Sequence, residues 1–138
     1  MIVVDASAIL KVLLLIPAAR RVGSRLFADG ETLHAPHLLD IEVAQGICRY
    51  CLSEKLDAAR GQAAVQDFAS FALIRYPHTM FLTRIWQLRA NLTAYDAAYD
   101  ALAEGLGPPH HARCGVGACA GAPSAYRGGI ALFLAVTK

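Results

Sequence analysis

The sequence has little charge and no strong excess of either sign. Only 17% of its 138 residues are Asp, Glu, Lys or Arg, and the formal net charge is +2. A balance so close to neutral gives no argument for nucleic-acid binding from charge alone. Hydrophobic residues make up 56% of the chain, enough for a packed core and too many for a disordered protein. We expect a single domain over residues 1–138.

Long apolar runs and signs of secretion are also missing. The apolar stretches 9–16 and 130–136 are too short to cross a bilayer, and Lys11 interrupts the first. The N-terminus has no basic segment, and Asp5 lies inside its apolar run, which argues against a secretion signal. The four cysteines are therefore expected to be reduced thiols. We predict a cytoplasmic protein that does not enter a membrane.

Acidic residues are absent after Glu104, and the character of the chain changes there. Residues 107–129 are rich in glycine and proline and show no period of two or 3.6. A packed domain seldom contains so long a stretch without regular structure, so we treat 107–129 as an atypical tail segment of the domain. The run 130–136 is again apolar and typical of a strand.

The remaining sequence alternates between strand and helix patterns. The predicted strands are 1–4, 31–35 and 72–76, and the predicted helices are 6–15, 18–28, 38–52, 57–71, 80–92 and 93–106. This alternation predicts an α/β sandwich with a central parallel sheet and helices on both faces. The apolar residues of the first helix exceed what one strand can cover, and we expect part of them to form a groove for a dimer partner or a partner helix. These residues are Ile9, Leu10, Val12, Leu13 and Leu14.

Three carboxylates lie where an α/β fold places its chemistry. Asp5 follows the first strand, at the sheet edge where open parallel sheets bind ligands. Glu42 lies in the first turns of the helix after Pro36, and Asp96 near the start of the last helix. Carboxylates from separate segments are hard oxygen ligands that suit Mg²⁺ or Mn²⁺. Such a site is typical of metal-dependent nucleases, which activate water and bind a phosphodiester.

Each carboxylate also has a purely structural interpretation. Asp5 can cap the helix that follows it. Glu42 can be a favourable first-turn charge in a helix that Asp40 caps. The segment Thr93–Asp96 has the form of a capping box. Spacing alone does not show that the three carboxylates converge.

Three segments together resemble the motifs of PIN-domain proteins. They are MIVVDASA at 1–8, HAPHLLDIEVA at 34–44 and RIWQLRANLTAYDAAYDALAE at 84–104. They occur in the family's order and with the expected gaps, over residues 1 to about 107. Within that family the sequence is similar to the VapC toxins of bacterial type II toxin–antitoxin systems.

This resemblance implies a three-layer α/β/α sandwich and an Mg²⁺-dependent endoribonuclease that cleaves cellular RNA, with Mn²⁺ as a possible substitute. It implies Asp5, Glu42 and Asp96 as the catalytic, metal-binding carboxylates, with Ser7 as a supporting hydroxyl beside Asp5. It also implies a cognate VapB-type antitoxin as inhibitor, and either a homodimer or a toxin–antitoxin hetero-oligomer.

The sequence departs from the family after the third motif. Members continue into a strand with a fourth acidic residue, in a pattern like PLITxDxxL, whereas this chain has PHHARCGVGAC at 109–119. The codons for 110–116 permit Ile-Thr-Arg-Asp-Ala-Gly-Leu in the next reading frame, so we hypothesise a frame slip near Gly107. Coding DNA over 107–122 that cannot spell this motif in another frame would refute the idea. The alternative function is a decayed, catalytically impaired toxin that only binds its antitoxin.

The other chemically interesting residues have simpler interpretations. Asp100, one turn after Asp96, either adds a carboxylate to the depleted site or is a tolerated polar substitution. Cys48 and Cys51 are expected to lie in a helix as buried core residues, rather than to bind zinc together with Cys114 and Cys119.

The remaining candidates are basic, aromatic or imidazole side chains. His34, His37, His110 and His111 are expected to be structural or surface residues. Arg84, Trp86 and Arg89 offer cations and an aromatic ring to RNA, although we expect Trp86 to be packed. The basic residues of the second helix offer a phosphate-facing patch or a solvated face. They are Arg20, Arg21 and Arg25.

Overall fold

The structure is a computed structural model that describes residues 1–17, 19–107 and 135–136. Strands and helices alternate along it as predicted. The strands are β1 (Ile2–Val3), β2 (Leu33–Pro36), β3 (Leu73–Tyr76) and β4 (Ala135–Val136). The helices are α1 (Ala6–Leu13), α2 (Ala19–Leu26), α3 (Leu38–Leu52), α4 (Ala58–Ala69), α5 (Leu82–Leu88) and α6 (Ala94–Leu106).

The sheet has the order β3-β2-β1-β4. Strand β2 runs parallel to both β1 and β3, with Leu33 opposite Ile2 on one side and Leu73 on the other. The predicted parallel sheet is confirmed for these three strands. The fourth strand differs, because β4 pairs with β1 in the antiparallel direction. It lies at the end of the predicted strand-like run 130–136, of which the structure describes 135–136.

Helices cover the sheet and complete an α/β/α sandwich. Helix α6 packs on β1 and β2. Helix α3 contacts β2, and both α1 and α4 pack against α3. Strand β1 and the residue after it are buried on both sides, as Ile2, Val3 and Val4 are 1%, 3% and 0% exposed. A continuous apolar strand is the pattern expected for a parallel strand between two helical layers.

Local signals set several helix ends. The side chains of Asp5, Asp57 and Thr93 accept hydrogen bonds from backbone N–H groups in the first turns of α1, α4 and α6. The predicted helix 80–92 is shorter in the structure. A 3₁₀ turn at His78–Phe81 precedes α5, and tight turns after Leu88 end it.

The expectation of an uncovered apolar groove on α1 was wrong. Ile9, Leu10 and Leu13 are buried, and Val12 and Leu14 pack partly buried against the core. The reason is that α2, α3 and α4 all contact α1. Sequence periodicity shows that a helix face is apolar, but it does not show how many other helices pack against that face.

A glycine allows the close contact between α1 and α3. A Cβ atom added at Gly46 would lie 2.3 Å from Leu10 Cδ1, well inside van der Waals contact. The missing side chain of Gly46 therefore leaves the space that the buried Leu10 side chain occupies.

Several expectations fall outside the described residues. The atypical tail segment lies there almost entirely, as do Cys114, Cys119, His110 and His111. Among the described residues, no helix is long and apolar enough to cross a membrane.

Candidate active site

Asp5 lies at the carboxyl end of the first strand and caps α1. Its Oδ1 atom accepts hydrogen bonds from the backbone N–H of Ala8 and from the Ser7 hydroxyl, both at 2.9 Å. The residue is 7% exposed, and Ser7 is also buried. The capping interpretation is therefore confirmed, and Ser7 lies where the resemblance placed a supporting hydroxyl. Because two donors hold Oδ1, the carboxylate has a defined orientation at the sheet edge.

Glu42 is half-buried in the second turn of α3 and contacts α6. The Tyr99 hydroxyl of α6 donates a hydrogen bond of 2.5 Å to Glu42 Oε2. Tyr99 itself is 4% exposed. Burial raises the pKa of Tyr99 strongly, and the bond to Glu42 raises it further. The phenol therefore remains a proton donor at physiological pH, and it orients the Glu42 carboxylate.

Asp96 lies in the first turn of α6 and is held by the residue that caps this helix. The backbone N–H of Asp96 donates to Thr93 Oγ1 at 3.2 Å, and that hydroxyl donates to Asp96 Oδ2 at 2.7 Å. The predicted capping arrangement is present, with one difference. Asp96 reaches back to the Thr93 hydroxyl rather than to its backbone N–H.

The electrostatics connect the three carboxylates. Burial raises the pKa of Glu42, the hydrogen bond from Tyr99 acts against this, and the charges of Asp5 and Asp96 raise it further. A charge shifts a neighbour's pKa in this way only when it is close and poorly screened. The charges of Asp5, which follows β1, and of Asp96 on α6 therefore both act on Glu42 of α3. They disfavour the ionised form of Glu42, and a bound cation would favour it.

The chemistry of these donors fits a divalent cation of the Mg²⁺ type. They supply carboxylate oxygens only, which are the ligands that hard cations prefer. The described hydrogen bonds engage one oxygen each of Glu42 and Asp96, and a carboxylate offers about four acceptor sites. In the described part of the chain, no group of three or more His, Cys, Asp or Glu side chains is already close enough to hold a metal ion.

Glu104 pairs with Arg84 of α5, and the charge of Asp100 acts on the same arginine. Arg84 of α5 donates from Nε to Glu104 Oε2 at 2.6 Å and from Nη2 to Glu104 Oε1 at 2.8 Å. These bonds raise the pKa of Arg84, and the charge of Asp100 raises it further. Asp100 therefore interacts with a cation on α5, whereas the charges that act on Glu42 belong to Asp5 and Asp96.

Tyr99 is the residue that sequence reasoning missed. It lies three residues after Asp96, so both side chains point from neighbouring turns of one helix face. Two features of the sequence could have indicated a role for Tyr99. One is its spacing from Asp96, and the other is its position among alanines on a buried helix face, where a tyrosine hydroxyl needs a hydrogen-bond partner. The partner was not predictable from local sequence, since Glu42 lies 57 positions away.

Two expected structural roles were wrong. Asp40 does not cap α3, because its carboxylate accepts two hydrogen bonds from Arg75 Nε of β3, at 2.9 and 3.1 Å. The N-cap of α3 is His37, which makes no side-chain capping bond. Cys48 is not a core residue, because it is exposed, whereas Cys51 packs partly buried against the core. Both cysteines lie in α3 as predicted, and both are free thiols.

The basic and aromatic residues of α5 are at the surface. Trp86 was expected to be packed, yet it is 67% exposed. The Arg89 guanidinium lies over its ring, 4.5 Å from the centroid. Arg20, Arg21 and Arg25 on α2 are exposed as well. His34, in contrast, is buried in β2, where both ring nitrogens are bonded.

Comparison with known proteins gives close relatives. No model of a known protein family matches the chain. Over 106 residues it is 48% identical to VapC ribonuclease Mb0985 of Mycobacterium bovis and to ribonuclease VapC9 of Mycobacterium tuberculosis, which covers 77% of this chain and 80% of each relative. Over 109 residues it is 42% identical to ribonuclease VapC12 of Mycobacterium tuberculosis, covering 79% of this chain and 83% of the relative.

A sheet with three parallel strands between helical layers is the architecture of a PIN-like domain. The identity to these relatives is high and extends over most of both chains. The chain belongs to the VapC ribonuclease family.

Proposed function

We propose that this protein is the toxin of a VapBC-type toxin–antitoxin system and an Mg²⁺-dependent endoribonuclease that cleaves cellular RNA in the cytoplasm. The observation that carries the proposal is the 42–48% identity to proteins named VapC ribonucleases over most of the chain, and the charges of Asp5 and Asp96 that act on Glu42 support a metal site. Like charges that a fold holds close to one another repel, which costs folding free energy, and a bound divalent cation would offset this repulsion. Relatives named as ribonucleases support the reaction class.

Asp5, Glu42 and Asp96 would hold the metal, with Mn²⁺ as a substitute for Mg²⁺. When bound, the metal stabilises negative charge on phosphate oxygens and makes water a better nucleophile. The protein's own part is to position the ligands. Ser7 and the Ala8 N–H orient Asp5, and Tyr99 orients Glu42. Such supporting hydrogen bonds set ligand geometry and strength.

We further propose a VapB-type antitoxin as the protein partner, in a homodimer or a toxin–antitoxin hetero-oligomer. Family membership supports this partner. Co-expression of the chain with such an antitoxin is expected to give a complex that elutes as one species and cleaves RNA more slowly than the chain alone. No feature of the described residues favours the alternative of a decayed toxin that only binds its antitoxin.

The test of the proposed activity is RNA cleavage by the purified chain with Mg²⁺, with Mn²⁺ and with a chelator. We expect cleavage with either metal and none with the chelator. Asp5→Asn, Glu42→Gln and Asp96→Asn should each lose cleavage while keeping the fold by circular dichroism. The matched control is Asp67→Asn on α4, whose carboxylate is exposed and pairs with Arg60. Cleavage that persists in all three site variants would refute the proposal.

A further inference from the structure

An exposed aromatic–cation pair lies on α5, outside the carboxylate cluster. Trp86 is 67% exposed even though Arg89 covers part of its ring. A tryptophan side chain is large and apolar, so leaving most of it in water costs free energy that burial would recover. Packing within the described fold gives no reason for a tryptophan here.

Arg89 is held at the ring rather than free to move. Its Nη1 donates a hydrogen bond of 2.8 Å to the Trp86 carbonyl oxygen, which keeps the guanidinium 4.5 Å from the ring centroid. Arg89 makes no ion pair with a carboxylate in the described residues, in contrast to Arg84 on the same helix, which binds Glu104. The pair therefore presents an aromatic surface and a positive charge at one point.

The position of this pair relative to the carboxylates follows from the chain path. Arg84 and Glu104 tie α5 to α6, the helix that carries Asp96. Thr93, which bonds Asp96, lies four positions after Arg89, so the two Cα atoms lie within about 14 Å. The linker is coiled more tightly than that, since the N–H of Leu92 bonds back to the carbonyl of Leu88. A second exposed aromatic, Tyr95, directly precedes Asp96 and is 65% exposed.

We propose that Trp86 and Arg89 form a binding site for one unpaired nucleobase and the adjoining phosphate of the RNA strand that enters the carboxylate site. An aromatic ring stacks on any base whose face is free, and a guanidinium contributes both stacking and phosphate contact. This combination selects single-stranded RNA, because the faces of bases in a duplex are covered. The inference rests on the proposed ribonuclease function and assigns one contact site for its RNA to Trp86 and Arg89.

Trp86 is the only tryptophan of the chain, so its fluorescence reports on this site alone. The protein, in a chelator to prevent cleavage, is titrated with a short unstructured RNA and with a duplex of the same sequence. We expect saturable quenching by the single strand and little quenching by the duplex. Absence of quenching by the single strand would overturn the inference.

Variants test the same site with a labelled RNA in fluorescence anisotropy. Trp86→Leu is expected to weaken binding about 5- to 150-fold, the effect of losing one base stack, while Trp86→Phe stays within a few-fold of the original protein. Arg89→Gln should reduce the salt dependence of binding by about 0.7 in log–log slope. The matched control is Leu82→Ala, which removes a 55% exposed apolar side chain from the same helix and should leave affinity unchanged.

Four further outcomes separate this inference from its alternatives. If Trp86→Leu changes the oligomeric state but not RNA affinity, the surface is a protein contact and the inference is wrong. Under cleavage conditions Trp86→Leu should raise KM more than it lowers kcat, since a binding contact is lost. Metal-dependent cleavage without quenching refutes the inference and leaves the proposed function intact. Quenching without metal-dependent cleavage refutes the proposed function and leaves Trp86 and Arg89 as an RNA-binding site.

Discussion

The Tyr99 hydroxyl of α6 donates a hydrogen bond of 2.5 Å to the Glu42 carboxylate of α3. This bond connects two helices that each contact the sheet. The bond relates a buried phenol to a half-buried acid whose pKa is raised by burial and by two neighbouring carboxylates. A charged acceptor makes this a strong hydrogen bond. Tyr99 thereby stabilises the ionised form of Glu42, which is the form that would bind a cation.

Removing this hydroxyl tests its role as a positioning group. Tyr99→Phe keeps the ring in the core and deletes the bond to Glu42. Loss of an outer hydrogen bond to a metal ligand typically costs 10- to 100-fold in metal affinity or activity. We therefore expect the Mn²⁺ dissociation constant, measured by calorimetry, to rise by about this factor. An unchanged affinity in a folded variant would mean that Tyr99 serves the core alone.

Replacing Glu42 should raise stability while abolishing activity. In metal-free protein, Glu42→Gln removes a charge that burial and the charges of Asp5 and Asp96 disfavour, and the amide oxygen still accepts from Tyr99. We expect a higher melting temperature than the original protein in a chelator. Added Mg²⁺ should then raise the melting temperature of the original protein but not of the variant. A lower melting temperature of Glu42→Gln in the chelator would contradict this account.

His34 should make folding stability depend on pH. Its Nδ1 lies 2.9 Å from the Tyr76 hydroxyl and its Nε2 lies 2.8 Å from the Thr32 hydroxyl, in a buried position. Burial, and then the positive N-terminus, lower the pKa of His34 in the folded state. The unfolded chain, with a histidine pKa of about 6.5, then binds more protons. Stability is therefore full above that pH and falls as the pH decreases toward the folded pKa.

Urea unfolding between pH 7.5 and 5.5 measures this effect. The free energy of unfolding should decrease toward the acid end, and His34→Gln should flatten that decrease. The control is His37→Gln, because His37 is exposed and its removal should leave the pH dependence as it is. A free energy that rises toward pH 5.5 in the original protein would have the wrong sign for a buried neutral histidine.

Two glycines should respond to alanine in opposite directions. At Gly46 an added Cβ would lie 2.3 Å from the buried Leu10 side chain, and overpacking costs about 1–3 kcal/mol. This exceeds the helix gain from glycine to alanine of about 1 kcal/mol. At Gly23 the nearest atom is 3.9 Å away, so only the helix gain applies. Urea unfolding should show Gly46→Ala less stable and Gly23→Ala more stable, and the same sign for both would contradict this packing.

Much of this fold was predictable because the local signals were strong. The apolar β-branched run before Asp5 predicted a buried strand, and helix α3 has the predicted limits of Leu38–Leu52. Capping residues marked the starts of α1 and α6 because a single side chain satisfies the first free N–H groups.

What failed depends on contacts between distant segments. Asp40 was expected to cap α3, but its partner is Arg75 in strand β3, 35 positions along the chain, which the local sequence does not show. Trp86 was expected to be packed but is exposed, since helical spacing does not show whether another segment covers a side chain. Only the resemblance suggests that Asp5, Glu42 and Asp96 share a site, since spacing does not fix distances across a sheet.

We propose that RNA cleavage depends on metal held by Asp5, Glu42 and Asp96. The most direct measurement is Mn²⁺ binding by calorimetry and RNA cleavage on the same samples of the original protein, Asp5→Asn, Glu42→Gln, Asp96→Asn and the control Asp67→Asn. We predict that metal affinity and cleavage fall together in the three site variants and are unchanged in the control. Cleavage at the original rate by a folded site variant that no longer binds Mn²⁺ would contradict the account.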